Sequence, residues 1–250
     1  MKNSILPTVL FSFLVCLGIS GIYPVIFGDV QRVVGVNVGD FNTYRFYTSF
    51  NSSDPSAEPG RSICEMAKWL FELDSHQVIV QNISRTNITC QVIVKFKNGT
   101  QIAAIGWIDV ADGGSNLAQQ GLLPCLFTSA NLTAGDRMYS STTDCFNETI
   151  PRAYLGVVRE VNHNNVTMHE SQKGVDYDAH SNMYYDKLTG SLLEYNGQIT
   201  CHNETYFAEL FAKIVVEGSS VVPEYHFLAF PLFVIAALLI VTLCRRKQSF

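Results

Sequence analysis

The sequence predicts a mainly β protein, in which an antiparallel sheet ectodomain (a half-barrel or a sandwich) lies between an N-terminal signal helix and one C-terminal transmembrane helix. Short stretches with alternating apolar and polar residues recur between turns rich in Gly, Asn and Asp, as is typical of antiparallel sheets. Two long uncharged segments frame these stretches. We therefore divide the chain into a signal peptide or signal anchor at 1–27, a β-rich extracellular domain at 28–217, a linker at 218–226, a transmembrane helix at 227–244 and a basic cytoplasmic tail at 245–250.

The N-terminus has the layout of a secretory signal. Lys2 supplies a positive charge, and an uncharged, mostly apolar run follows over 5–27. Gly18 and Ser20 are the small residues that a cleavage site before Gly21 requires. The alternative is an uncleaved signal anchor, because the run is also long enough to span a bilayer.

The first half of the ectodomain contains a clear three-stranded meander. A strand-rich stretch at 33–47 turns at Gly39-Asp40, residues 51–61 form a loop by composition, and 65–73 fits a short helix or a strand equally well. Strands are then predicted at 78–83, 88–97 and 101–110. The last two are joined by Asn98-Gly99, a strong hairpin signal because both residues tolerate positive φ.

The second half predicts two further hairpins and a long last strand. One hairpin pairs 153–161 with 166–169 through a turn at 162–165. The other pairs 183–186 with 191–195 through 187–190, with Gly190 at the turn. Residues 199–216 could hold one long final strand, because apolar residues alternate with polar ones from Ala208 to Val216.

The C-terminal tail predicts a membrane anchor. Residues 227–244 are uncharged and reach about 27 Å as a helix, just enough to cross a hydrocarbon core of about 30 Å. Arg245, Arg246 and Lys247 follow, and such residues stay on the cytoplasmic side. The expected location is the cell membrane, with a single pass, the ectodomain outside and the C-terminus in the cytoplasm.

Glycosylation sequons support an exterior ectodomain. Eight Asn-x-Ser/Thr sites lie between the two apolar ends, far more than chance would place there. Their acceptor residues are Asn51, Asn82, Asn87, Asn98, Asn131, Asn147, Asn165 and Asn203.

Five cysteines lie in the ectodomain, which suits an oxidising compartment but leaves one without a partner in the chain. Cys125 with Cys145 closes a short loop, and Cys64 with Cys90 is the natural second pair. Cys201 would then be free, buried or linked to another chain, so a disulfide-linked dimer is one expectation.

The acidic balance argues against nucleic acid as a partner. The chain has 17 basic and 22 acidic residues, and removing the four basic residues beside the apolar ends leaves 13 basic against 22 acidic. Such a surface repels phosphate backbones. The expected partners are the membrane and other envelope proteins or a lipid-like ligand, with no cofactor.

Two sequence features resemble known families. Pro223-Glu224-Tyr225, the apolar span and the basic triplet resemble the Pro-Glu-Phe-type sorting and anchor tails of uncharacterised archaeal surface proteins, with Tyr225 in place of Phe. The body resembles the same proteins in Val38-Gly39-Asp40-Phe41 and in the Tyr-Asp-x-x-Thr-Gly motif at 185–190. The latter is also similar to the curved-sheet family of lipoprotein carriers, which implies a half-barrel that holds acyl chains.

Candidate chemistry is sparse. His163 and His169 could form a metal site with Glu170 or Asp178 if the hairpin between them folds back, and Asp176 with Asp178 could bind a cation, but solvated side chains are the commoner outcome. No nucleophile elbow, phosphate loop or zinc-protease helix is present. We therefore expect no catalytic residues and no metal or cofactor ligands.

The function expected from sequence is a structural or interaction role in the cell envelope. A binding module for an apolar or lipid-like ligand in a concave sheet is the second expectation, and an extracytoplasmic hydrolase is the third. A continuous apolar cavity would favour the second. A cleft joining His163, His169 and a carboxylate would favour the third.

Overall fold

Nine strands form one antiparallel sheet in the computed structural model, which describes residues 31–54, 56, 70–117, 125–172 and 175–221. The spatial order is β4-β3-β2-β1-β9-β8-β7-β6-β5. The strands are β1 Phe41–Ser52, β2 Leu73–Ser84, β3 Asn87–Phe96, β4 Gln101–Asp109, β5 Glu148–Tyr154, β6 Val157–Gln172, β7 Val175–Asp186, β8 Leu192–His202 and β9 Phe207–Ser219.

The prediction of a mainly β fold with an antiparallel sheet is confirmed, and the sheet is single. The described residues form no second sheet, so they do not make the sandwich that the sequence allowed. The sheet consists of two meanders, β1–β4 and β5–β9, which meet where β1 pairs antiparallel with β9. A helical turn at 70–72 is the only helix in the described part of the chain. No helix there is long and apolar enough to cross a membrane, and the segments predicted at 1–27 and 227–244 lie outside it.

The local predictions succeed where a turn has a specific backbone requirement. The meander is confirmed as β2–β4, and Gly99 at its second turn has a φ of 86°. The hairpin around residues 187–190 is confirmed as β7–β8. Gly190 has a φ of 71°, and an added Cβ would collide with the carbonyl oxygen of Thr128, so only glycine fits there.

Two predictions in the second half are wrong. The supposed turn at 162–165 lies in the middle of β6, a continuous 16-residue strand, and the hairpin turns at Leu155-Gly156 instead. The single strand predicted over 199–216 is two strands. Asn203 ends the first of them, because its Oδ1 accepts hydrogen bonds from the backbone N–H groups of Thr205 and Tyr206 at 2.9 and 2.8 Å.

The two body motifs that resemble known families are turns, each closed by an aspartate that accepts hydrogen bonds within the turn. In Val38-Gly39-Asp40, the Asp40 carboxylate accepts the N–H of Asn37 at 2.7 Å. The Gly135-Asp136 turn repeats this geometry, because Asp136 accepts the N–H of Thr133 at 2.7 Å. At the β7–β8 turn, Asp186 accepts both the N–H and the hydroxyl of Thr189 at 3.1 and 2.7 Å.

The connection between β4 and β5 covers one face of the sheet, which we call the inner face. This face carries Tyr44 and Phe46 of β1, Val92 of β3 and Ile214 of β9. The buried side chains of the connection that join the same core cluster are Leu117, Cys125, Leu126, Phe127, Leu132, Met138, Tyr139 and Phe146.

Three buried tyrosine hydroxyls satisfy backbone carbonyls in this core, and that of Tyr185 links the connection to the sheet. Tyr44 of β1 donates to the carbonyl of Leu192 at 2.9 Å, and Tyr185 of β7 donates to the carbonyl of Cys125 at 3.0 Å. Tyr139 donates to the carbonyl of Phe127 at 2.8 Å. All three rings are at most 2% exposed, so each hydroxyl satisfies a carbonyl that water does not reach.

The cysteines do not form the expected Cys125–Cys145 bond. Cys125 is buried beside Tyr185, whereas Cys145 is half-buried with its Sγ 3.5 Å from the carbonyl oxygen of Thr143. Cys90 is also a buried thiol, and its proposed partner Cys64 lies outside the described residues. Burial raises the pKa of Cys90 and of Cys125 to about 11, so few of these thiols ionise at neutral pH.

Cys201 is only 1% exposed. A disulfide through it to a second chain would require β8 to open locally, and the dimer stays a prediction.

Replacing Tyr139 with Phe should lower the free energy of unfolding by about 1–3 kcal/mol, because the buried carbonyl of Phe127 loses its donor. Tyr47→Phe is the matched control, because its exposed hydroxyl contacts Glu217 at 3.3 Å and its loss should change stability by less than about 0.5 kcal/mol. Urea unfolding of both variants measures the difference. Equal effects would contradict the role of the Tyr139 hydroxyl in satisfying this buried carbonyl.

Candidate functional site

The outer face of the sheet, opposite the covered one, is a grid of polar side chains. Direct strand pairing aligns these residues in five rows across β6, β7, β8, β9 and β1. The rows are His163-Tyr184-Glu194-Val215-Arg45, Asn165-Asn182-Asn196-Lys213-Tyr47, Thr167-His180-Gln198-Phe211-Ser49, His169-Asp178-Thr200-Glu209-Asn51 and, from β6 to β9, Ser171-Asp176-His202-Phe207.

Glu194 is the centre of the first two rows. It is 5% exposed, and its two oxygens are divided between two pairs of donors. Oε2 accepts the hydroxyl of Tyr154 at 2.8 Å and lies 3.2 Å from the Arg152 guanidinium. Oε1 accepts Nδ2 of Asn196 at 2.8 Å and lies 3.2 Å from Nζ of Lys213. Four donors therefore surround one carboxylate.

These contacts keep Glu194 ionised. Burial alone would raise its pKa, but the hydrogen bonds from Asn196 and Tyr154 and the charge of Arg152 outweigh burial and lower the pKa below its usual value of 4.5. The pKa of Tyr154 shifts in the opposite direction. Burial and the hydrogen bond to Glu194 raise it strongly. Glu194 is thus ionised at neutral pH, with both oxygens available as acceptors.

Tyr184 connects this network to a histidine. The Arg152 guanidinium carbon lies 4.0 Å from the centre of the Tyr184 ring, within cation–π range. The His163 ring stacks on Tyr184 with centroids 4.5 Å apart and planes 8° from parallel. His163 also contacts Glu148 through Nδ1 and Asn182 through Nε2, both at 2.9 Å. Both ring nitrogens of His163 are therefore engaged.

A second histidine group lies further along β6–β8. His169 contacts one oxygen of Asp178 through Nδ1 at 2.7 Å, and His202 contacts the other through Nε2 at 3.3 Å. The hydrogen bond with Asp178, and then its charge, raise the pKa of His169 above 6.5. The hydrogen bond with His169 is the main cause that lowers the pKa of Asp178 below 3.8, and it outweighs the opposing effect of burial.

The metal site considered from sequence is not assembled. His163 and His169 lie on the same strand face six residues apart, about 20 Å at the rise of a strand. They contact different carboxylates, Glu148 and Asp178, and Glu170 belongs to the opposite face. Among the described residues, no group of three or more His, Cys, Asp or Glu side chains is arranged to hold a metal ion.

The inner face is divided between two apolar clusters. The larger contains Phe46, Tyr195 and Ile214 and is covered by the β4–β5 connection. The smaller contains Cys201, Ala208 and Leu210. Between them runs a row of cross-strand partners with mostly small side chains, Thr48, Ala212, Gly197, Ser181 and Val166.

The sequons lie at the surface of the described structure. Seven of the eight acceptor asparagines are exposed, and Asn87 is half-buried. Five of them are in hairpin turns or in the β4–β5 connection, or begin or end a strand beside a turn. Asn165 is in the outer-face grid itself, where its Nδ2 donates to Asn182 at 2.8 Å.

Sequence reasoning missed the Glu194 network. Its members come from three strands, and Arg152 and Tyr154 are about 40 residues from Glu194 in the chain. The only local signal was the alternation that places Glu194 and Asn196 on one face of β8. No protein-family model matches this chain, and a search of curated proteins found no relative.

Asp178→Asn should lower the pKa of His169 toward 6.5, as measured by NMR titration of its ring protons. Because the folded pKa of His169 is raised, the pair stabilises the fold fully below pH 6.5 and loses this effect as pH rises through that folded pKa. Because the folded pKa of Asp178 is depressed, the pair stabilises the fold fully above pH 3.8. This effect is lost as pH falls through the folded pKa of Asp178.

Asp176→Asn is the matched control for this titration. Asp176 contributes only the smallest of the charge effects on His169, so the pKa of His169 should fall less than in Asp178→Asn. Equal falls in the two variants would show that general charge, and not the direct hydrogen bond, sets the pKa.

Proposed function

We propose that this chain is a glycosylated, membrane-anchored protein of the cell exterior whose sheet serves as an interaction module in the envelope. The predicted signal at 1–27, the predicted span at 227–244 and the eight sequons support this location. The resemblance of Pro223-Glu224-Tyr225 and its neighbours to archaeal sorting tails supports the same assignment. Its partner would be another envelope protein.

The observation that carries this proposal is a set of exposed aromatic side chains in the outer-face grid. Tyr47 is 51% exposed, Phe211 38% and Phe207 37%. Tyr47 is the direct partner of Lys213, so Phe211 is its diagonal neighbour across β1 and β9. Aromatic residues among polar and charged neighbours are the composition that protein interfaces favour.

The polar surroundings of these aromatic residues are held in place before any partner binds. Arg45 contacts Asp74 at 2.5 Å and Glu217 at 3.1 Å, and Glu217 also accepts the Tyr47 hydroxyl. Gln198 donates to Glu209 at 2.5 Å beside Phe211. Side chains that are already ordered lose less conformational entropy on binding, which favours a docking role for this face.

A binding site for an apolar ligand on the inner face is a second candidate. The small-residue row Thr48-Ala212-Gly197-Ser181 lies between two apolar clusters, and Phe50, Ile199 and Met168 beside it are only half-buried. The hydrolase expected third gains no support, because His163 and His169 are held by different carboxylates.

A photo-crosslinking residue placed separately at Phe211 and at Met168 tests both candidates in the full chain in its own membranes. The interaction proposal expects a covalent protein adduct from position 211 on irradiation. The second candidate expects a small lipid-soluble adduct from position 168. Val158, which is 71% exposed near the β5–β6 turn, is the matched control position.

Protein adducts from position 211 that exceed those from position 158 would support the outer face as the docking surface. Equal or absent adducts at the two positions would overturn it, whatever position 168 shows.

A further inference from the structure

Asn196 and Lys213 stand directly opposite each other on β8 and β9, on the outer face. Directly paired residues on one face have Cβ atoms about 5 Å apart. The Lys213 side chain can therefore reach the Asn196 carboxamide without any change in the sheet. Both groups already contact the same atom, Oε1 of Glu194, at 3.2 Å from Nζ and 2.8 Å from Nδ2.

The other side of Glu194 is fully occupied. Tyr154 and Arg152 both bind Oε2, so Oε1 is left to the lysine and the asparagine. The carboxylate is 5% exposed, and four strands contribute to its position through pairing and contacts. It cannot rotate away from the Asn196–Lys213 pair without breaking its buried hydrogen bond with Tyr154 and its ion pair with Arg152.

We propose that Lys213 and Asn196 form an intramolecular isopeptide bond, with Glu194 as the general base. Glu194 Oε1 takes a proton from the Lys213 ammonium, and the neutral Nζ attacks Cγ of Asn196. Oε1 gives this first proton to Nδ2 and then takes the second Nζ proton, the Cγ–Nδ2 bond breaks, and ammonia leaves and takes the second proton from Oε1 as ammonium. The Nζ–Cγ amide bond forms with no oxidant, metal or cofactor.

The chemistry requires all three groups together. A carboxylate in hydrogen-bond reach of both nucleophile and leaving group can move both protons. Fixed alignment of the two reacting groups replaces a very slow bimolecular reaction with an intramolecular one. The Lys187–Glu160 pair at 2.7 Å provides an internal comparison, because no carboxamide in the described residues bonds to Glu160.

The cross-link would join the last strand to its neighbour. β9 is followed by the linker and the predicted anchor, so a pull on the ectodomain against the membrane is applied to the end of β9. Backbone hydrogen bonds of a strand pulled from one end break one after another, whereas a covalent bond at 213 would stop that separation. This inference does not depend on the proposed interaction partner.

Peptide mapping of the full chain tests the proposal. After glycan removal, a protease that cleaves after Glu separates Asn196 in peptide 195–204 from Lys213 in peptide 210–217. We expect the two peptides joined, with a mass lower than their sum by one ammonia. The joined fraction should increase on prolonged incubation.

Recovery of only the two separate peptides after that incubation would overturn the proposal. Asn196 precedes Gly197, and cyclisation of such a pair to a succinimide also expels ammonia. It would leave peptide 195–204 unjoined, so ammonia loss confined to that peptide would also overturn it.

Two variants separate the roles of the groups. Lys213→Arg keeps the positive charge beside Glu194 and should abolish the joined peptide. Glu194→Gln keeps the lysine and the asparagine and should reduce the joined fraction at least tenfold if Glu194 is the base. A Glu194→Gln chain that joins as fast as the wild type would overturn that role.

Discussion

The pairing of β1 with β9 is the constraint on which the rest of the structure depends. Eleven residue pairs join the first strand to the last. Without this pairing the chain would contain two separate meanders, β1–β4 and β5–β9, each with an exposed edge. With it, the outer-face rows run uninterrupted from β6 to β1, and Tyr47 lies beside Lys213. Such long-range pairing closes a large loop of chain, which costs conformational entropy.

The two faces of this sheet differ in what their side chains contact. On the inner face, Tyr185, Asn162 and Asn164 donate to carbonyls of the β4–β5 connection and hold it against the sheet, so that part of the face is a packed core. On the outer face, the side chains satisfy each other, as Glu194 shows with its four donors. A fully paired polar network in a partly buried setting holds its members in defined positions. Docking at this face and a Lys213–Asn196 cross-link both require side chains held in this way.

The sequence was sufficient where local chemistry decides the backbone. Alternation and the Asn98-Gly99 turn predicted β3 and β4, and Gly190 marked the β7–β8 turn. The turn predicted at 162–165 was wrong because Asn and His, which are common in turns, lie here within β6. In the fold, Asn162 and Asn164 instead donate to the carbonyls of Leu132 and Cys145. These partners, and those of Glu194, come from distant parts of the chain, so no local pattern could indicate them.

The central claim is that the ectodomain is outside the cell and presents this outer face. Phe211→Cys and Ala212→Cys place a thiol on opposite faces of β9, at positions 38% and 7% exposed. A membrane-impermeant maleimide on intact cells should label Phe211→Cys, and should label Ala212→Cys only after unfolding. Labelling of Phe211→Cys that requires cell lysis would contradict the exterior location. Equal labelling of both variants on intact cells would contradict the assignment of the faces.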